Sequence, residues 1–267
     1  YDEITPPLHS IYRQTETILA LLNETGIKAT FFVLGMLAEY RPDIVKMIYK
    51  QGHEIAIHGY SHKPLTQLSR KEIWDDIDTA IKIVSDIIGE KIHGFRAPIF
   101  SIQRDNLFIL EILSELGIEY DSSIFPVKLP RYGISGFPQS DCKLVLPNGK
   151  SIIEFPLTYL KWMNVKIPIS GGGHLRLLPS FLLGPIFNRL TTEERGFIIY
   201  SHPYEFDPEH IDIAENFSKD SQYPEFKRFF LNLKWNLFRG SFFKKTRFLL
   251  SNFDFLTCKE RMKYVKD

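Results

Sequence analysis

Short apolar runs alternate with longer amphipathic stretches through most of this chain, and few architectures accept that pattern. "IKATFFVLG", "HEIAIH", "KIHGFRAP", "IEYDSS", "SIIEFPLTYL" and "GFIIYSH" have the length and the β-branched or aromatic character of buried strands. Helical patterns lie between them. "IYRQTETILALLNETG" closes at Gly26, and "RPDIVKMIYKQG" opens near Pro42 and ends at Gly52. "SRKEIWDDIDTAIKIVSDIIG" begins at Ser69 with Glu72 three residues later, a capping box ahead of an amphipathic run. "RDNLFILEILSELG" is a further helix, and a glycine turn opens another in "ISGGGHLRLLPSFLLGPIFNRL". The segment 125–150, rich in Pro, Gly and turn residues, is expected to be a long loop or small excursion.

Six or seven βα units follow one another with no linker-like gap. The expected fold is therefore a single α/β domain over residues 1–267, an irregular or incomplete (β/α) barrel of about seven strands. A doubly wound sheet is the alternative. From "YPEFKRFF" onward the chain is basic and aromatic with helical spacing, so residues 208–267 are expected to form a C-terminal helical extension. A cap on the barrel is the expected role, with a membrane-surface or partner helix as the other reading.

Composition narrows the function classes. The chain has 33 Lys and Arg against 32 Asp and Glu, a net charge of +1 that argues against a general nucleic-acid binder. Cys142 and Cys258 stand far apart in no metal-like spacing, which disfavours a disulfide framework. No apolar run has the length of a membrane span, and no export signal is visible, so a cytoplasmic location is expected. With 22 Phe and 12 Tyr, the chain has aromatic side chains for its core and for a groove that stacks on ring-shaped ligands.

In a barrel of this kind, chemistry collects at the C-terminal ends of the strands. Here His58 and His62 follow "HEIAI", Arg96 follows "IHGF", Asp121 follows "IEY" and His202 follows "GFIIY". Scattered core polar residues would not gather at one end of successive strands. A turn or a first helical turn brings positions i and i+4 together, so His58 and His62 have the spacing to face one metal ion. The pair has no glutamate between the histidines to act as a base, and two nitrogens leave a catalytic zinc one ligand short. Alone, the pair does not decide between metal ligands and surface or helix-capping histidines. His202 has the chemistry of a general acid at a strand end, or of a satisfied buried histidine. Arg96 suits the orientation of a carboxylate base, or a structural ion pair. His174 and Arg176, after three glycines that permit close backbone approach, suit a sugar- or anion-contacting loop or a tight structural turn. The remaining histidines at 9, 53, 93 and 210 carry no such pattern.

With these residues in order, the chain resembles the polysaccharide deacetylase family, the NodB-homology group of carbohydrate esterases. "ATFFVLG", "GHEIAIHGYSHKPL", "GFRAPIFSI", "YDSSIFP", "GGGHLRLLP" and "YSHPYEFD" carry the resemblance from about Ile11 to Asp207. The last four look most like the branch linked to exopolysaccharide gene clusters. The resemblance implies that His58 and His62 bind a divalent metal ion, zinc by ligand type. It implies that Arg96 steers the catalytic carboxylate, with Pro98 its motif partner, that His202 is the general acid, and that Asp121 supports the pocket. Phe100, Tyr132, His174 and Arg176 are the expected sugar contacts.

The implied reaction removes an N-acetyl group from an amino sugar in a surface polysaccharide or its precursor. Another C–N hydrolase of the same fold (a deformylase or a ureide hydrolase) and an inactive carbohydrate-binding member are the alternatives. The family also places an Asp pair, catalytic base and third metal ligand, on a first strand ahead of the helix that begins near Ile11. Asp2 and Glu3 follow no strand and are not assigned those roles. The expectation is that the first strand lies upstream of Tyr1; otherwise the protein lacks a working site.

Overall fold

The computed structural model describes residues 8–130, 132–163, 165–193, 196–207, 209 and 225–265. Asp2, Glu3, His210 and much of the expected extension between 208 and 224 lie outside them. Helix α1 (Leu8–Thr25) ends where Gly26 takes φ of 71°, a left-handed stop that an L side chain would strain. Next comes strand β1 (Thr30–Val33), followed by α2 (Gly35–Tyr40) and α3 (Pro42–Lys50), which has Pro42 in its first turn. After β2 (Glu54–Ile57), helix α4 (Arg70–Ile88) opens on the capping box: Ser69 N donates to Glu72 Oε2 at 2.7 Å. β3 (Gly94–Phe95), α5 (Phe108–Glu115) and β4 (Tyr120–Asp121) complete the repeat.

The sheet order is β1-β2-β3-β4-β6-β5, with β6 spanning Ser151–Glu154 and β5 spanning Cys142–Val145. Every pairing is parallel except that of β5 with β6. Thr30 to Val33 lie in register with Glu54 to Ile57. Both faces of this sheet are covered, so β2 shows continuous burial from Ile55 to Ile57 instead of alternation. One face packs Ile55 and Ile57 with Ile44, Val45, Ile73 and Ile77 of the helix layer. The other gathers Phe32, Ala56, Tyr120 and Phe155, and the C-terminal Cys258, Met262 and Val265 join them. An apolar interior lined by successive strands is the cross-section of a barrel wall. The described strands leave it open, with β1 at one edge: an incomplete (β/α) barrel, as the alternation predicts.

Three local expectations change. "SIIEFPLTYL" is two strands, because Pro156 has no N–H for a ladder. After β6 the chain turns into a separate hairpin of β7 (Tyr159–Trp162) and β8 (Val165–Pro168). The segment 125–150 contains β5, joined to β6 by a turn at Asn148-Gly149 where Leu146 N donates to Lys150 O. "GFIIYSH" contributes a single parallel bridge, Tyr200 to Gly171, because Ile198 N is taken by the Thr158 hydroxyl at 2.7 Å.

The C-terminal helices are α8 (Glu225–Asn236), α9 (Arg239–Asn252) and the short α10 (Cys258–Arg261). α9 packs Phe242 and Leu249 with Leu21 of α1, with Leu175 of α6 (Gly172–Leu177) and with Phe187 of α7 (Ser180–Thr192). α10 seals the end of the sheet opposite the strand C-termini. Cys258 N donates to Thr30 Oγ1 and Lys259 N to Glu54 Oε2.

Candidate active site

The ladder itself assembles one side of the site. His58 N donates to Val33 O at 2.8 Å, Arg96 N to Ile57 O at 3.0 Å, and Ser122 N to Phe95 O at 3.0 Å. Each residue thus continues its strand by one rung, and the three stand in one row at the C-terminal rim.

The ring of His58 is fixed from below. Its Nδ1 lies 2.7 Å from the carbonyl oxygen of Arg96, which only an N–H can satisfy. That contact selects the Nδ1–H tautomer and leaves Nε2 with a lone pair. Burial, then the neighbouring His62, lowers the His58 pKa to about 3, so the lone pair persists at neutral pH. His62 is lowered as well, by burial and by His202. The rings of His58 and His62 are 5.3 Å apart between centroids.

Backbone geometry brings them together. Gly59 and His62 both adopt left-handed φ, 74° and 60°. Asp76 on α4 anchors the loop by accepting from Tyr60 N (2.8 Å) and Ser61 N (3.0 Å). A Cβ on residue 59 would stand 2.7 Å from Asp76 Oδ2, so glycine is required there twice over.

Arg96 is buried, and its guanidinium meets protein on three sides. Nε donates to Ser122 O at 2.9 Å and Nη2 to Ser122 Oγ at 2.8 Å. Its Cζ sits 4.1 Å from the centroid of Phe32, 5.7 Å from Tyr200 and 5.9 Å from Phe100. No carboxylate among the described residues makes an ion pair with it. A buried guanidinium without an anion is costly, and burial lowers its pKa. The chemistry of this corner calls for a carboxylate.

Pro98 starts a turn in which Ile99 and Phe100 take φ of 56° and 53°. A β-branched and an aromatic residue in the left-handed region cost roughly 1–2 kcal/mol each, which the surrounding structure must offset. The turn is held from beneath: Ala97 N donates to Ser123 Oγ, which donates to Asp121 Oδ1. Asp121 and Glu154 are both fully buried here. Burial, followed by the Asp121 charge, raises the Glu154 carboxyl well above its usual range. The turn presents Phe100 to Tyr132 (5.5 Å) and Tyr200 (4.9 Å), an aromatic wall beside Arg96.

His202 follows the Tyr200 bridge and reaches the same neighbourhood, where it lowers the pKa of both His58 and His62. Its side chain is 58% exposed, and the ring stacks on Tyr204 at 5.5 Å. Its backbone N donates to the buried Glu205 Oε2 at 3.0 Å. Two of the three consecutive glycines are explained at this point. A Cβ on residue 171 would meet the Tyr200 hydroxyl at 2.4 Å, and one on residue 172 would meet Glu205 Oε2 at 1.8 Å. Arg176, itself buried, faces Glu205 at 3.5 Å. It therefore lies beneath the His202 loop, away from the open rim, and His174 is partly exposed on α6.

His58, His62, Arg96, Phe100, Tyr132 and His202 thus share one rim. Sequence reasoning missed Asp76, Ser122, Ser123, Glu154 and Glu205, which hold that rim in place. Asp76, Ser122, Ser123 and Glu154 act across long separations in sequence that no local pattern marks, whereas Glu205 stands three residues after His202, the spacing of a capping box. Two neutral imidazoles held at a rim suit a divalent transition metal. Among the described residues no third His, Cys, Asp or Glu joins them in a ligating cluster.

Residues 7–120 match the family model described as polysaccharide deacetylase. Over that stretch, less than half of its length, the chain is similar to this family. Residues 122–263 match a second model, described as a domain of unknown function, DUF3473. A peptidoglycan deacetylase-like protein of Gibberella zeae is 36% identical over 124 residues, 45% of this chain and 36% of its own length. A peptidoglycan-N-acetylglucosamine deacetylase of Bacillus cereus is 37% identical over 93 residues, 35% of this chain and 34% of its own. The chain therefore spans about a third of the length of either relative. A solved structure described as a putative polysaccharide deacetylase from Mycobacterium smegmatis shares the fold. Its TM-score is 0.57 at 21% identity, over 73% of this chain and 65% of that one.

Proposed function

We propose that this protein belongs to the polysaccharide deacetylase family and hydrolyses the N-acetyl amide of an amino sugar in a surface polysaccharide or its precursor, giving acetate and a free amine. The observation that carries the reading is the rim itself: His58 and His62 as paired neutral donors, a buried Arg96 with no carboxylate partner among the described residues, and His202 close enough to act on both rings.

His58 and His62 would hold the divalent ion, zinc by ligand type, each through a ring nitrogen. Such an ion, when bound, polarises an amide carbonyl and makes a nearby water more acidic. Arg96 supplies the positive charge that holds a carboxylate base ionised and aimed at the water. The base and a third ligand are proposed to be aspartates on a strand running beside the edge strand β1, upstream of Tyr1. The open edge of β1 and the unneutralised Arg96 are the support for this assignment. His202 is exposed enough to meet substrate, and with Nδ1 3.8 Å from Glu205 Oε2 its imidazole is placed to deliver a proton to the departing nitrogen. Water attacks the carbonyl carbon, the C–N bond breaks, and the proton from His202 completes the amine. Phe100 and Tyr132 offer flat faces against which a pyranose ring stacks. His174 is proposed as a more peripheral sugar contact. Arg176 positions Glu205 and through it the His202 loop.

Acetate release from N-acetylglucosamine oligomers, peptidoglycan fragments and lipid- or nucleotide-linked amino sugars, with and without added zinc, tests the reading. Zinc-stimulated acetate release from at least one class, lost in His202→Ala, is the expected result. Absence of acetate release from every class would overturn it, and formate or ammonia release from other C–N substrates would favour a different hydrolase.

A further inference from the structure

The apolar stripe of helix α8 is turned toward solvent. Phe226, Phe229, Phe230, Leu233 and Leu237 recur at i, i+3, i+4, i+7 and i+11, the spacing of one helical face. Leu237 N still donates to Leu233 O at 2.9 Å, so the helical path extends through it. All five side chains are exposed, from 36% at Leu237 to 66% at Phe226. A helix of a globular domain ordinarily buries such a face. Phe238, the next residue, is 55% exposed and sits in the left-handed region at φ 57°, where α8 gives way to α9.

Charge is concentrated in the same stretch. Residues 225–248 contain seven of the chain's 33 Lys and Arg and one of its 32 Asp and Glu, so the remainder of the chain is net acidic. Arg239 and Lys245 turn inward, donating to the carbonyls of Tyr204 and Arg176, and Arg247 pairs with Glu24. These contacts bolt α9 to the body of the molecule, and α9 in turn carries the foot of α8. Lys244 stays exposed.

The chemistry of the face selects its occupant. A second copy packed stripe to stripe would press two cationic segments together, which repulsion opposes. A glycan needs hydrogen-bonding partners, and the stripe consists of Phe and Leu alone. An anionic lipid surface meets both demands: its acyl boundary takes the apolar face, and its headgroups attract a segment whose sequence is basic. No described helix is long and apolar enough to cross a membrane, so α8 would lie in the plane of the surface. We propose that α8 is an interfacial helix that docks this protein on anionic lipid bilayers through the Phe226–Leu237 stripe. The proposal is independent of the deacetylase reading.

Co-sedimentation of the full chain with vesicles tests it. Binding to phosphatidylcholine vesicles containing phosphatidylglycerol, weakened by added salt and absent for phosphatidylcholine alone, is the expected result. Phe229→Ser with Phe230→Ser should weaken partition by at least about tenfold while leaving the melting temperature unchanged, since both rings are already in solvent. Lys244→Glu provides a second variant outside the stripe and should also reduce binding. Failure of the wild type to bind the anionic vesicles, or equal binding by the double variant, would overturn the proposal. So would a wild-type dimer that the double variant converts to monomer without any lipid binding, because the stripe would then belong to a second copy.

Discussion

The two halves of the rim are held by different kinds of bond. His58, Arg96 and Ser122 stand where the parallel ladder puts them, each one rung beyond its strand, on backbone hydrogen bonds of 2.8–3.0 Å. His202 has a single bridge behind it at Tyr200 and depends on side chains: Glu205 at its own backbone N, Arg176 against Glu205, and Arg239 on the carbonyls of Tyr204 and Asp207. Backbone ladders cannot be removed by changing one side chain, whereas a side-chain brace can. The metal half of the site should therefore tolerate substitution outside its own loop and the single Asp76 brace on that loop, and the acid half should be open to disruption from several residues far from the chemistry.

The largest expected effect falls on the acid half. His202→Ala should lower kcat by about 10²–10⁴-fold with bound metal unchanged, read by acetate release alongside elemental analysis. Second is Glu205→Ala, which removes the buried carboxylate facing Arg176 and the acceptor for His202 N. It should cost on the order of 3 kcal/mol in urea unfolding and lower kcat, again without loss of metal. If this variant lost metal and kept its kcat per bound ion, the division between the halves would fail.

Asp76→Ala sharpens the other side. With two loop amides released, zinc affinity should fall about tenfold while kcat at saturating zinc is retained. The smallest effect is at Glu154→Gln. The folded protein holds Glu154 protonated above the ordinary carboxylate value of 4.5, so its contribution to stability is present at low pH and is lost as pH rises above that value. The amide cannot ionise, so the variant should gain stability over the wild type as pH is raised from 4.5 toward 8. A pH series of melting temperatures checks this; a constant difference across the series would contradict it.

Much of the metal half was legible in the sequence because local signals and topology agree there. The Ser69–Glu72 capping box, Pro42 and the period of the apolar runs placed β1, β2 and α4, and strand ends then pointed to His58, His62 and Arg96. The acid half was harder for the same reason that it is fragile. "GFIIYSH" has the composition of a strand, but Thr158 takes its backbone donor and only Tyr200 pairs. "GGGHLR" announced close backbone approach without naming the partner, which is Tyr200 and Glu205. Asn148-Gly149 is a hairpin signal inside a stretch whose Pro and Gly content reads as loop, and it forms the β5–β6 turn. Left-handed φ at Ile99 and Phe100 has no sequence signature, because neither residue favours that conformation.

Zinc stoichiometry and affinity measured on the wild type, His58→Ala, His62→Ala and His202→Ala test the central claim most directly. One zinc per chain in the wild type and His202→Ala, with loss of binding in both His58→Ala and His62→Ala, is the predicted result. One equivalent bound by His58→Ala at wild-type affinity would contradict it.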